Sequence, residues 1–369
     1  MSPRRLLVLL ALALAVTGGA IWLSSPRSAR RDAAEGAPVL AGLAAQLDAV
    51  TALRLVGAGN QTLVTLTRGD GRWIVAEVGY PADTARVRRL LVALGELAVV
   101  EPKTEDPARY ATLAVEDVAD PKAQSLRLEI GGLPEPLALI VGHASASRGA
   151  FVRRPGERQA LEARPALDVA RTPRDWLART IVDVAPARVQ SVEVERSDSP
   201  PWRALKATRD AAHFDVPGLP KGRELTSAGA ADPAGNALGN LEFDEVRRAL
   251  PAAGRPRPQR AVVRCFDGLV VTLEGRADGE ARWLTLAASV DPELAARFPP
   301  PAPPATPATP ATPASATAPA TATAPAPPGA DAARAEADRL NATVQGWEYR
   351  VASYRFDAIF RKRDELLRH

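Results

Sequence analysis

Residues 6–23 read LLVLLALALAVTGGAIWL, an apolar run without a charge, and Arg4 and Arg5 stand just before it. As a helix the run is about 27 Å long at ~1.5 Å per residue, close to the ~30 Å hydrocarbon core of a bilayer. It therefore fixes where the rest of the chain resides: tethered to a membrane or exported through one. The same run can be read as the core of a secretory signal, with Gly19-Ala20 or Ser28-Ala29 at the cleavage site. Three features favour retention. The run exceeds the ~7–15 residues of a signal core. Trp22 lies at its outer end, where an indole suits the lipid–water interface. Arg27, Arg30 and Arg31 follow closely, which a signal peptidase tolerates poorly. Arg residues flank both ends, so the positive-inside balance is nearly even. The short leading tail cannot be a domain, and this places the bulk across the membrane, in a bacterial periplasm. Arg4-Arg5 has the look of a twin-arginine signal, but no passenger cofactor site accompanies it, and no Cys lies near the run to carry an acyl anchor.

Without the anchor and a low-complexity stretch, about 290 residues remain, enough for two ordinary domains. Cys265 is the only cysteine, so no intrachain disulfide forms and the fold must rest on its core. It sits in AVVRCFDGLVV, a strand-like run, where a buried inert thiol is expected rather than a nucleophile. Net charge is +4, with Arg scattered through every segment and mostly interleaved with acids. No basic block with interleaved aromatics occurs, so nucleic-acid binding has no support.

Alternation and helical periodicity divide the chain as follows. Residues 1–5 are a cytoplasmic tail, 6–23 the transmembrane helix and 24–45 a spacer. A first α+β module covers 46–183 and a second covers 184–298. Residues 299–330 form a Pro/Ala/Thr-rich insertion in a loop of the second module, and 331–369 complete that module. In the first, NQTLVTLTRGDGRWIVAEVG is a hairpin turning at Gly69-Asp70-Gly71. Asp83 is placed to cap a helix carrying Val87, Leu90, Leu91, Leu94 and Leu97, which Pro102 should stop. Leu126, Leu128 and Ile130 then alternate with Arg127 and Glu129, and LALIVG and GAFVRRPG complete a small sheet. RTPRDWLARTIVDV reads as a short helical connector.

The second module repeats this order loosely. VQSVEVERSD is a strand, and WRALKATRDAAHFDVPG resembles the Trp73 hairpin. Leu241, Val246 and Leu250 suggest a helix, and AVVRCFDGLVVTLEGRADGEARWLTLAASV is a hairpin turning near Ala277-Asp278-Gly279. Pro299 to Gly329 has no apolar face to bury, and its prolines lack donors, so an extended segment is expected. ADAARAEADRLNATV is a helix, GWEYRVASY a strand, and the tail a helix with Phe356, Ile359, Phe360 and Leu367 inward.

Recognisable catalytic chemistry is missing. His143, His213 and His369 are the only histidines, and no pair has metal-ligand spacing, so a zinc site would have to draw on distant singletons. GxSxG, P-loop and EF-hand patterns are absent. Gly57-Ala58-Gly59-Asn60 begins like a dinucleotide loop, but strand residues follow where a helix belongs, and a hairpin turn explains it better. No catalytic, cofactor-binding or metal-ligating residue is assigned. Six Trp residues, at 22, 73, 176, 202, 283 and 347, read as core anchors, with a sugar-stacking surface as the sharper alternative.

The arrangement resembles the envelope family called domain of unknown function 4340. The likeness rests on Gly71-Arg72-Trp73-Ile74, Tyr80-Pro81-Ala82-Asp83, the Val87 to Leu97 helix and Tyr110-Ala111-Thr112-Leu113. Gly149-Ala150-Phe151-Val152-Arg153, Arg174-Asp175-Trp176-Leu177, Leu340-Asn341 and Gly346-Trp347-Glu348-Tyr349 extend it towards the end. The resemblance implies a single-span protein with extracytoplasmic α+β repeats. Some members are encoded beside ABC-2-type transporters and gliding-motility-like proteins, which implies an accessory role in an envelope complex.

The expected fold is α+β: an N-terminal transmembrane helix, then two loosely repeated antiparallel-sheet-plus-helix modules. The expected function is that of a non-enzymatic, membrane-anchored periplasmic scaffold without cofactor, with an envelope protein such as an ABC-2-type transporter as partner. The alternatives are an envelope hydrolase acting on polysaccharide or peptidoglycan through paired carboxylates about 5–10 Å apart, and a periplasmic ligand carrier with a deep apolar pocket.

Overall fold

The computed structural model describes residues 35–251, 257–299 and 329–368. The expected transmembrane helix at 6–23 and most of the Pro/Ala/Thr-rich insertion lie outside the described residues. Among the described residues, no helix is long and apolar enough to cross a membrane. The fold is α+β, built on antiparallel sheets, and the chain divides into two compact units at Ala178/Arg179.

The first unit holds strands β1 (Ala52–Gly57), β2 (Gln61–Gly69), β3 (Arg72–Val75) and β4 (Tyr80–Pro81), then helix α1 (Thr84–Gly95) and β5 (Ala98–Pro102). A short helix α2 (Tyr110–Leu113) precedes β6 (Leu126–Gly131), β7 (Leu137–Ala144), β8 (Ala150–Arg153) and β9 (Ala160–Arg164). Nine strands form one sheet in the order β4-β3-β2-β1-β6-β7-β8-β9-β5. The β2–β3 hairpin turns where the sequence places it: Asp70 and Gly71 have φ of 50° and 76°, the left-handed pair a tight turn needs. In β6, Leu126, Leu128 and Ile130 are buried while Arg127 and Glu129 pair on the outer face at 2.9 Å.

Helix α1 starts at Asp83, whose carboxylate accepts from the Arg86 N–H at 2.9 Å, and it buries Val87, Leu90, Leu91 and Leu94. Its end differs from expectation. The helix stops at Gly95, not at Pro102, because residues 98–102 form β5 and pair with β9. Gly95 also permits close packing: a Cβ there would lie 3.3 Å from the Ala44 Cα. Ala98-Val99-Val100 suits a strand, and Pro102 sits at its end. The expected spacer is shorter than 24–45. Gly36 to Val39 pair with the outer edge of β5, through Gly36 N–H to Val99 O (2.8 Å), Val99 N–H to Ala37 O (2.9 Å) and Val39 N–H to Leu97 O (2.8 Å). Val39, Leu40 and Leu43 are buried. The expected helical connector instead forms a 3-10 turn, Pro173–Trp176, followed by a short strand at Thr180–Val182, and Trp176 is fully buried with its indole N–H on Ala170 O at 2.9 Å.

The second unit contains β10 (Thr180–Val182), β11 (Val189–Arg196), β12 (Ser199–Leu205), α3 (Asp232–Gly235), β13 (Leu241–Glu242) and β14 (Glu245–Arg248). It continues with β15 (Gln259–Cys265), β16 (Leu269–Asp278), β17 (Ala281–Val290), α4 (Pro292–Arg297), α5 (Ala330–Val344), β18 (Trp347–Val351) and α6 (Ser353–Ile359). Its main sheet runs β12-β11-β15-β16-β17-β18-β14. Leu241, Val246 and Leu250 do not form a helix. Leu241 and Val246 lie in β13 and β14, because the Glu245–Arg248 segment finds a partner strand in β18. The hairpin expected after Trp202 shrinks to one bridge, Leu205 to Asp215. Helix α5 matches its expected bounds, and Phe356, Ile359, Phe360 and Leu367 are all buried.

The two units share one topology. Strands β2-β1-β6-β7-β8-β9-β5 of the first correspond in order to β12-β11-β15-β16-β17-β18-β14 of the second, with every neighbouring pair antiparallel. In each unit a strand from the segment after the first hairpin returns to pair with the last strand of the meander. The short β8–β9 turn of the first unit corresponds to the stretch between β17 and β18 that carries α4, the Pro/Ala/Thr-rich residues and α5. Helix α5 compensates for that long excursion. β18 pairs with β17 only at Arg282–Leu284, and further along β17 the Asn341 amide both donates to Ala288 O and accepts from Ala288 N–H, each at 2.8 Å.

Candidate functional site

The densest polar cluster of the first unit gathers residues far apart in sequence at the β9–β5 end of the sheet. Glu162, on β9, is 7% exposed. Its carboxylate meets the Lys103 ammonium at 2.6 Å and accepts from the Ser147 hydroxyl; Lys103 also contacts Glu101. Ser147 lies 2.9 Å from Ser145 Oγ, which accepts from Gly149 N–H at 3.2 Å. Gly149 is required there, since a Cβ would sit 2.3 Å from Ala163 O. Lys103 and Ser147 hold the Glu162 carboxyl down at about 2, and Glu101 and Glu162 push Lys103 above its ordinary value. Glu162 is thus ionised at neutral pH with very little basicity, and Lys103 is a cation. The cluster can present fixed charges and hydroxyls; neither charged group is poised to exchange a proton near pH 7.

In the second unit, His213 Nδ1 and Asp232 Oδ2 are 2.7 Å apart, and Asp232 Oδ1 accepts from Phe214 N–H at 3.2 Å. The ring is half-exposed. A His–carboxylate pair is one part of the base–nucleophile arrangement that a hydrolase would need. Among the described residues, no hydroxyl or thiol forms a hydrogen bond with Nε2. Cys265 is fully buried, and burial pushes its thiol up to about 12, so it stays protonated and inert. His143 is exposed at the end of β7, in the other unit, and His369 lies outside the described residues. Among the described residues, no group of three His, Cys, Asp or Glu could hold a metal ion.

The remaining ion clusters tie elements together. Arg188 forms a fork on Glu336 of α5 (3.1 and 2.8 Å) and reaches Asp267 at 2.8 Å. Burial works against the Arg188 charge, but the two carboxylates outweigh it and raise its pKa further. Asp198 is held well below the usual carboxylate range by Arg196 and Lys362. A groove of about 420 Å³ runs along the outer face of α1, past Arg88, Arg89, Val92 and Pro165. The five described Trp residues are all buried, in keeping with core anchors.

The geometry defines a protein of two topologically equivalent antiparallel α+β units. A family model described as "Domain of unknown function (DUF4340)" matches residues 73–258, half of the chain, and the chain belongs to this family. No curated protein and no solved structure gives a match. The segments that carry the likeness have structural duties. Arg153 is buried with its guanidinium 4.6 Å from the Tyr110 ring, and it donates to Val115 O and Glu157 O, each at 2.9 Å. Tyr110 in turn donates to Arg158 O at 2.5 Å. Asp83 caps α1, Trp176 fills the core beneath it and Asn341 satisfies β17. The Lys103–Glu162–Ser147 and His213–Asp232 groupings carry no local sequence signal; only the chain reversals bring them together.

Proposed function

We propose that this chain is a single-pass protein of a bacterial inner membrane, held by residues 6–23, whose two units lie in the periplasm. There they bind and scaffold an envelope protein complex, with an ABC-2-type transporter as the partner class. The observation that carries this reading is the uncharged, membrane-length run with Arg4 and Arg5 before it and Trp22 at its far end. Only residues 24–35 separate it from Gly36, which is already hydrogen-bonded to β5. Those residues reach at most ~40 Å when fully extended, so the first unit works close to the bilayer. Two copies of one sheet topology suit a scaffold that presents edges and faces to partners. The ion clusters, with carboxylates pinned by Arg and Lys, suit rigid units more than proton transfer.

The test is membrane fractionation with an alkaline carbonate wash, combined with mass determination of the N-terminus. Retention of residues 6–23 in the washed inner-membrane fraction supports the anchor. A mature N-terminus near Ile21 or Arg30 overturns it. The competing reading, an envelope hydrolase, draws on the half-exposed His213–Asp232 pair. It requires loss of activity toward polysaccharide or peptidoglycan when His213 is replaced by Ala in a protein that folds normally.

A further inference from the structure

Helix α1 buries one face and leaves the other bare. Its exposed residues Ala85, Arg88, Arg89, Val92 and Glu96, together with Pro165, line the groove of about 420 Å³. Val92 is 37% exposed, one of only three large apolar side chains exposed among the described residues. Arg86, on the flank of the helix, is held by Asp168 at 3.0 Å. The Arg88 and Arg89 side chains have no ion pair or hydrogen bond among the described residues. They are free cations on long apolar stems, set beside an apolar strip, and such side chains cover apolar surface while their charge reaches for a polar partner.

The chain enters the first unit next to this groove. Pro38 bridges to Ala98, and Ala98 pairs on its other side with Arg164, the residue before Pro165. Neighbouring strands stand ~4.8 Å apart, so Pro38 and Arg164 are only ~10 Å from one another. Glu96, two residues before Ala98, closes the same end of the groove. The spacer that leads here, residues 24–35, carries Arg27, Arg30 and Arg31 against Asp32 and Glu35 and is itself slightly basic. We infer that the outer face of α1 docks on the anionic headgroups of the bilayer that holds residues 6–23, with Arg88 and Arg89 on phosphates and Val92 and Pro165 against the apolar boundary beneath them. This rests on the membrane anchor proposed for residues 6–23. Each base near an anionic surface favours contact about several-fold, and Glu96 opposes it with one charge. Two arginines would hold a free protein only weakly. A spacer of at most ~40 Å makes the contact intramolecular, at high effective concentration, so a weak site suffices.

The experiment places the full chain in lipid nanodiscs of phosphatidylcholine, alone or mixed equally with phosphatidylglycerol. A fluorophore on Ala85→Cys reports contact through quenching by a lipid with a nitroxide headgroup; Cys265 is fully buried and does not take the label. Quenching should be strong in the anionic discs at about 0.1 M salt. It should fall in neutral discs, and at about 1 M salt, where the screening length drops from ~10 to ~3 Å. Arg88→Gln with Arg89→Gln should move the docked-to-free ratio about tenfold or more toward free. Arg88→Lys with Arg89→Lys keeps both charges and should keep the quenching. Thermal unfolding checks that each variant folds. A label left unquenched in anionic discs, or quenched equally whatever the charge of lipid and helix, overturns the inference while the anchor stands. An Ala85→Cys thiol that resists labelling in detergent also overturns it, because the spacer or another protein segment then covers the face. A chain that does not co-purify with the discs overturns the anchor, and this inference with it.

Discussion

Replacing Arg188 by Ala should be the costliest single change among the polar groups of the second unit, and the structure shows why. Arg188 stands at the start of β11 and holds two carboxylates of unequal exposure. The Asp267 side chain is 0% exposed, whereas that of Glu336 on α5 is 27% exposed. Asp267 also accepts from Leu269 N–H at 3.2 Å, so it cannot swing out without opening the β15–β16 turn. Without Arg188 that carboxylate is buried and unpaired, which costs about 3–5 kcal/mol. Glu336→Ala removes the wetter partner and leaves the buried pair intact, so it should cost only about 1 kcal/mol. Adding Asp267→Asn to Arg188→Ala removes the stranded charge and should recover part of the loss. Guanidinium unfolding followed by Trp fluorescence measures all four proteins. Equal costs for Arg188→Ala and Glu336→Ala, or a double variant less stable than Arg188→Ala, would refute this reasoning.

Two other outcomes are expected. Because Glu162 is held at about 2, against ~4.3 when unfolded, its contribution to stability is complete above the unfolded value and is lost as pH falls toward 2. Acid titration of stability should therefore be steeper for the parent than for Glu162→Gln between about pH 4 and pH 2, and parallel curves would dismiss the Lys103–Glu162 pair as a stabilising contact. Replacing residues 300–328 by a Gly/Ser linker of about ten residues should leave the melting temperature unchanged or raise it by about 2 °C, since loop closure costs only ~0.6 kcal/mol per doubling of length. A drop of many degrees would mean that the stretch contributes structure.

Local signals in the sequence were reliable where geometry is decided locally. Asp70-Gly71 turns a hairpin because both need left-handed φ, Asp83 caps α1, and α5 begins and ends where its Ala-rich pattern does. Pairing between distant strands is not written locally, and the departures arise there. Residues 98–102 continue an apolar pattern that a helix could also use, and only β9 makes them a strand. Leu241, Val246 and Leu250 are spaced ambiguously, and β18, about a hundred residues on, decides for β14. The polar clusters were illegible for the same reason: Lys103, Ser147 and Glu162 come from three separate segments, as do Arg188, Asp267 and Glu336. The repeat was legible only in part: the helix expected around Leu241–Leu250 is strand, and the strand-for-strand correspondence needed the sheet.

We propose that this chain acts as a tethered scaffold through its surfaces. Complementation of a deletion strain of the source organism tests it most directly, with three proteins: the parent, a His213→Ala variant, and an exported version whose residues 1–23 are replaced by a cleavable signal. Tethering raises the local concentration at a membrane partner, so the parent and His213→Ala should complement while the untethered protein, folded and exported, should fail. An untethered form that complements beside a folded His213→Ala variant that does not would contradict the account and favour an enzyme.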